Sequence, residues 1–195
     1  MREEWLIEAI VHLSVLFADI GDGILPAVRV SCSWPSRGGL STKRRVLGEC
    51  WHGESSEDGI CQIFVSPFYA KNDEILPVLV HELAHVVAGP DAAHKGEFVK
   101  IIRKLGLEGK PTATHASPEL LARLNALVTK EIGDYPHSAL KPEALEEKKQ
   151  TTRMLKAECP DPDCGCTFRI TQKWVDEAGG TLICPVPDCE GEIVF

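Results

Sequence analysis

The run Pro77-Val78-Leu79-Val80-His81-Glu82-Leu83-Ala84-His85-Val86-Val87 constrains this chain more than any other. Its apolar residues read as a helix bound for a core, yet two histidines and a glutamate interrupt them. On a helix, residues four apart share a face, so His81 and His85 point the same way and Glu82 lies beside them. Such groups facing a core with no partner are costly. A divalent metal ion relieves the conflict: the spacing H-E-x-x-H lets two imidazoles grip one ion, and the glutamate reaches a water beside it. The helix is expected from about Asp73, as N-cap, to Ala88, with Pro77 near the first turn and Gly89-Pro90 as the stop.

A catalytic metal needs a third protein ligand and one open position. His94, Asp91 and Glu97 are the candidates. His94 is preferred, because a turn at Gly89-Pro90 brings the next helix, expected over His94 to Leu105, back to the metal. Asp91 reads alternatively as a cap of that helix, and Glu97 as a solvated position. Imidazole ligands suit zinc, and Glu82 as general base then makes a metal-activated hydrolase. The spacing with Gly at 88 and His at 91 that marks metzincins is absent, since Ala88 and Asp91 stand there.

The rest of the chain is expected to supply an α+β frame. Residues 3 to 20 read as a helix with Leu6, Ile10, Leu13, Phe17 and Ile20 on one face. Glu8 and Asp19 break its apolar run, so it reads as neither a membrane span nor a signal peptide. Ala27 to Ser33, Val46 to Trp51 and Ile60 to Ser66 read as strands. Ser117-Pro118 opens a further helix that ends at Gly133. The expected organisation is a domain over 1–133, a linker with a helix from Pro142 over 134–156, and a terminal module over 157–195.

Of eight cysteines, Cys159, Cys164, Cys166, Cys184 and Cys189 crowd that module. Cys159-x4-Cys164 and Cys184-x4-Cys189 are paired knuckles, and four thiolates in two pairs make a closed tetrahedral zinc site. Cys166 is a spare that could replace Cys164. Strands are expected at Thr167 to Thr171 and Thr181 to Cys184. Cys32, Cys50 and Cys61 read as buried small hydrophobes. Two zinc ions are therefore expected, one catalytic and one structural, in a cytoplasmic setting that keeps thiols reduced.

The run HELAHVVAGPDAAHKGEF resembles the SprT-like metallopeptidases, which include the Spartan proteases. His81, Glu82, His85, His94 and Phe98 match that family's motif, and QIFVSPFY resembles the strand before its active-site helix. Lys95 departs from it, standing where Gly often follows the third histidine. The resemblance covers roughly residues 5 to 105 and the cysteine module. It implies a zincin-like domain with a terminal zinc ribbon, and intracellular zinc proteolysis, often of DNA-associated proteins.

The net charge of -8 excludes a polycation, so any contact with DNA, single-stranded DNA included, needs a local patch. The module over 151–195 carries four Arg/Lys against eight Asp/Glu, which argues against strong phosphate binding there. The basic residues lie elsewhere: Arg37, Lys43, Arg44 and Arg45 in a loop, and Lys95, Lys100, Arg103, Lys104 and Lys110 after the motif. Arg44, Arg45, Lys100, Arg103 and Lys104 are the candidate DNA contacts, and a plain solvated surface is the alternative. Trp34, Trp51 and Trp174 could stack on bases. His52, His115, His137, Tyr69 and Tyr135 are candidates for steadying the reaction's oxyanion. Three functions remain open: an endopeptidase acting on a protein substrate, a non-catalytic regulator that binds DNA or protein, and a zinc hydrolase of another bond. An intact Glu82 favours an enzyme.

Overall fold

The computed structural model describes residues 1–21, 25–41, 44–141 and 154–195. The chain divides into two compact units, Met1–Ala144 and Leu145–Phe195, each of helices and small sheets, so the class is mixed α+β.

The first helix, α1 (Arg2–Asp19), buries Trp5, Leu6, Ala9, Leu13, Leu16 and Phe17. This is an i, i+3, i+4 stripe. It is rotated from the expected one, and Ile10 and Ile20 end half-buried at its edge. Trp5 Nε1 donates to the carbonyl of Gly133 at 2.9 Å, tying the start of the chain to the far end of the unit.

Strands β1 (Val28–Cys32), β2 (Gly48–Trp51) and β3 (Cys61–Val65) lie within the expected segments. Their order is β1-β3-β2, with β1 parallel and β2 antiparallel to β3. The central strand buries Ile63 and Val65 completely, and β2 is left on the edge. Cys32 is buried as expected, but Cys50 and Cys61 are only half-buried.

The motif helix, α2 (Asn72–Ala88), starts two positions early, with Lys71 and not Asp73 at the cap. Asn72 is held there by long-range bonds: its Nδ2 donates to Asp134 at 2.7 Å, and the amide of Tyr135 donates to its Oδ1 at 2.8 Å. Pro77 consequently lies inside the helix, beyond the first turn, and leaves the carbonyl of Asp73 without its helical donor. Ile75, Leu76, Leu79, Val80, Leu83 and Ala84 are fully buried. Gly89, at φ 82°, ends the helix as its sequence requires.

A short turn over Pro90–Ala92 leads to α3 (Gly96–Leu105), whose N-cap is Lys95 and not Asp91. His94 thus stands before the helix, not on it. A hairpin that the sequence did not announce follows: β4 (Leu107–Lys110) and β5 (Ala113–Ala116), with Gly109 opposite Thr114. Helix α4 (Pro118–Leu127) opens on Ser117, whose hydroxyl accepts from the amide of Leu120 at 3.1 Å. A wider turn over Val128–Ile132 then ends at Gly133, φ 69°. Residues 134–141 are not a free linker. Tyr135 is 4% exposed, and the amide of Leu140 donates to Pro67 at 2.9 Å. The helix expected from Pro142 lies outside the described residues.

In the second unit, β6 (Met154–Glu158) begins inside the expected linker and pairs antiparallel with β7 (Thr167–Thr171), which has its expected bounds. Helix α5 (Gln172–Glu177) follows. The strand expected over Thr181 to Cys184 does not form. A single bridge joins Ile183 to Glu192, because the chain turns at once into the second knuckle and Pro185 has no N–H to extend a ladder. Among the described residues this unit buries Ala157, Val175, Cys184 and Ile193. Among the described residues no helix is long and apolar enough to cross a membrane.

Candidate metal centres

Two groups of side chains converge as ligand sets. In the first, ring nitrogens of His81, His85 and His94 lie within 4.8 Å of one another. Helix α2 supplies the first two by its four-residue repeat. The third arrives through a tight turn: Gly89 is at φ 82° and Gly96 at φ 52°, and between them Ala93 is held at φ 43°. A positive φ in a residue with a Cβ stores roughly 1–3 kcal/mol of strain. That strain sits next to the residue that must reach back to α2.

His85 Nε2 and His94 Nε2 stand 3.3 Å apart. Phe98, fully buried on α3, supports the cluster from one side: its ring stacks on His85 at 4.0 Å and meets His81 and His94 edge-on at 5.1 and 5.2 Å. The Nδ1 of His81 is 2.8 Å from the hydroxyl of Thr114 on the hairpin. Burial, with His94 close by, pushes His81 down to about 4; burial, with the other two imidazoles close by, pushes His85 down to about 3; burial also lowers His94. The three rings are therefore neutral at physiological pH and keep lone pairs for a cation.

Of the other third-ligand candidates, Asp91 is exposed on the Pro90–Ala92 turn, and Glu97 is exposed and paired with Lys100 at 2.8 Å. Neither belongs to the cluster.

Glu82 is 6% exposed and lines the same cleft of about 440 Å³ as the three histidines. Burial, reinforced by the anion of Glu49, pushes its carboxyl up to about 8. Burial opposes the charge on Glu49 as well, but the hydroxyl and amide of Ser36, at 2.5 and 2.7 Å, outweigh it and hold Glu49 below the usual range. Glu82 thus sits where a proton is readily held, and a cation at the histidines would draw it toward the charged form.

Gly48 on β2 makes this position possible. A Cβ there would stand 2.5 Å from Glu82 Oε1 and 2.7 Å from Val78 Cγ1. The absence of a side chain is a matter of space and not of backbone conformation. Gly48→Ala is expected to destabilise the first unit by about 1–3 kcal/mol through overpacking, read from the urea midpoint. An unchanged midpoint would show that Glu82 has room to retreat.

In the second group, the sulfurs of Cys159, Cys164, Cys184 and Cys189 lie within 4.8 Å of one another. Cys159 and Cys189 are 3.7 Å apart, and Cys164 and Cys184 are 3.6 Å apart. Cys166 stays out of the set; its carbonyl instead accepts from the amide of Cys159 at 2.9 Å. A Cβ at Gly191 would lie 2.6 Å from Cys159 Sγ, so the chain wraps the sulfurs with no space to spare. The amide of Val186 favours the Cys184 thiolate, but burial and the neighbouring sulfurs hold its pKa up at about 12. Four thiols this close do not ionise together without a cation among them, and each group can hold a metal ion.

The remaining candidates scatter. Arg45 lines the cleft with its guanidinium 3.5 Å over the ring of Phe68, which meets Trp34 edge-on at 5.1 Å. Arg44 is exposed nearby, and Lys43 lies outside the described residues. Lys100 is paired with Glu97. Lys104 Nζ reaches the carbonyl of Ile20 at 3.5 Å. Arg103 turns its guanidinium to the carbonyls of Leu107 and Gly109, so it braces the hairpin. Trp51 and Trp174 are exposed, and Lys173 lies over the latter.

Among the oxyanion candidates, His52 alone lines the cleft. Tyr135 is buried against Trp5, and His137 is bonded to the carbonyl of Pro67. His115 is on β5, not in a loop, and faces Glu108 at 3.7 Å. Gly48, Glu49 and Thr114 are the site residues that sequence reasoning missed. The chain matches no protein-family model, no curated protein and no solved structure.

Proposed function

We propose that the chain is a zinc-dependent endopeptidase with a zincin-like first unit and a zinc-ribbon second unit. The observation that carries this reading is the placement of Glu82, buried but open to the cleft, beside three neutral histidines. A purely structural metal site has no use for a carboxyl group held at that cost.

The ligand spacings support zinc at both places. Tetrahedral zinc with imidazole nitrogens at 2.0–2.1 Å sets them about 3.3 Å apart, as His85 and His94 are. With thiolates at about 2.3 Å the expected edge is about 3.8 Å, close to the two sulfur separations. Three histidines leave a position free for reaction, whereas four cysteines close theirs.

When bound at the histidines, zinc supplies a Lewis acid that acidifies water and polarises a peptide carbonyl. The chain's own residues do the rest. Glu82 takes a proton from the attacking water as the carbon–oxygen bond forms, and returns it to the amine nitrogen as the carbon–nitrogen bond breaks. His52 is placed along the cleft to donate to the developing oxyanion. Edge strand β2 and the hairpin tip form the cleft walls that receive the substrate.

The resemblance of residues 81–98 to the SprT-like metallopeptidases supports proteolysis over hydrolysis of another bond, and suggests DNA-associated proteins as substrates. For DNA contact, Arg44, exposed beside the cleft, is the better candidate, since Arg103 braces the hairpin and Arg45 lies over Phe68.

The test uses the full chain with two equivalents of zinc and a DNA-binding protein as substrate, with and without single-stranded DNA, fragments being read by mass spectrometry. Cleavage that stops on chelation and returns with zinc is expected. Two bound zinc ions with no cleavage under either condition would replace this reading with that of a non-catalytic binding protein.

A further inference from the structure

His81 differs from the other two histidines of the cluster. Among the described residues, its second ring nitrogen has a protein partner, the Thr114 hydroxyl at 2.8 Å, while the contact recorded for His85 and His94 joins those two rings to each other. Thr114 lies 33 positions further along the chain, on strand β5 of the hairpin. The hairpin that carries it is firmly built. Arg103 Nη1 donates to Leu107 at 2.6 Å, Arg103 Nη2 donates to Gly109, and the amide of Ser117 closes on the carbonyl of Gly106 at 2.8 Å. Opposite Thr114 stands Gly109 at φ 87°, where a Cβ would meet Ala113 O at 3.0 Å and His115 Nδ1 at 3.1 Å. Arginine, glycine and serine thus fix the backbone on which Thr114 is presented.

The hydroxyl can accept or donate, and the choice decides which nitrogen of His81 is left for a metal. A threonine that accepts holds the proton on Nδ1 and leaves the Nε2 lone pair free. We propose that Thr114 is a positioning residue for the metal centre, accepting from His81 Nδ1 and thereby fixing both the ring's orientation and the tautomer that binds through Nε2. The role rests on the reading of His81 as a metal ligand. It gives the hairpin a second function, beside the lining of the cleft by Thr112, Ala113 and Thr114. A substrate that presses on this lip presses on the group that aims one ligand.

The test measures metal binding rather than turnover. Full-length wild type, Thr114→Val, Thr114→Ser and His81→Ala are loaded with zinc and titrated with a graded chelator, and the retained metal is counted. The step that His81→Ala removes belongs to the histidine site. Thr114→Val keeps the shape and loses the acceptor, so its histidine-site affinity should fall about 10- to 100-fold, while Thr114→Ser stays within about threefold of wild type. The cysteine-site step should not move in any variant. Nitrogen-15 NMR of the zinc-loaded wild type gives a second reading that needs no folded variant: His81 should carry its proton on Nδ1. A Thr114→Val step that coincides with wild type, or a His81 metallated through Nδ1, overturns the proposal and leaves the metal site standing. A wild type that retains zinc at the cysteines only, with no step lost in His81→Ala, overturns the metal-ligand reading itself.

Discussion

Glu82→Gln should lower peptide cleavage by about 10²- to 10⁴-fold, the range that a positioned general base contributes, and should leave two zinc ions bound. The substitution nearly conserves shape, so the contact with Gly48, which admits no extra atom, is kept. The amide cannot take a proton from water. Fragment yield and metal content, measured on the same preparation, separate the two effects, and cleavage by Glu82→Gln within tenfold of wild type would remove Glu82 from the chemistry.

The same variant carries a pH signature in the metal-free protein. Burial, with Glu49 nearby, raises the Glu82 carboxyl from an ordinary 4.5 to about 8. Between those values the folded state holds a proton that the unfolded chain has released. Its contribution to stability is therefore complete below pH 4.5 and is lost as pH rises through 8. His81 and His85 act in the opposite sense, because their depressed values cost stability only as pH falls below the ordinary 6.5. The window from 6.5 to 8 belongs to Glu82. There the melting temperature of the metal-free wild type should fall with pH more steeply than that of Glu82→Gln. Parallel slopes would show that the carboxyl is already ionised in the fold.

The parts of this site that were legible in the sequence are those set by short spacing. His81, Glu82 and His85 share a helix face because four residues make about one turn, and no distant residue can alter that. His94 was legible because Gly89-Pro90 forces a reversal, although its place before α3 depends on how the turn closes around Ala93. The two knuckles were legible in the same way, and the fold gathers the sulfur of Cys164, not that of Cys166, with the other three. Long-range packing left no comparable trace. The strand order β1-β3-β2 places an edge strand against α2, and the contacts that require Gly48, with Val78 and Glu82, join residues 30 and 34 positions apart. The hairpin over residues 107–116 was invisible because it buries Leu107 alone and so shows no apolar alternation. Arg103 looked like a free surface cation for the same reason: the carbonyls that it holds belong to an element which the sequence did not reveal.

Removal of the cysteine-bound metal should unfold the second unit and spare the first. The argument is one of size. Among residues 154–195 the buried apolar side chains are Ala157, Val175, Cys184 and Ile193, and Cys184 is one of the four clustered thiols. So small a core supplies far too little hydrophobic stabilisation to offset the ordering of the backbone. A structural zinc at four thiolates contributes roughly 10–16 kcal/mol of apparent binding energy in small modules, and that energy is their folding energy. The first unit needs no such support, since its core runs from Trp5 to Tyr135 through the central sheet and α2. Cys184→Ser should therefore leave residues 154–195 open to a protease and to rapid amide exchange in the intact chain, with the thermal transition of the first unit unmoved. Cys166→Ser, which changes a sulfur outside the cluster and keeps the backbone bond to Cys159, should behave as wild type. Protection of β6 and β7 in Cys184→Ser would mean that the module folds without its metal, and exposure in Cys166→Ser would mean that the ligand set includes the wrong cysteine.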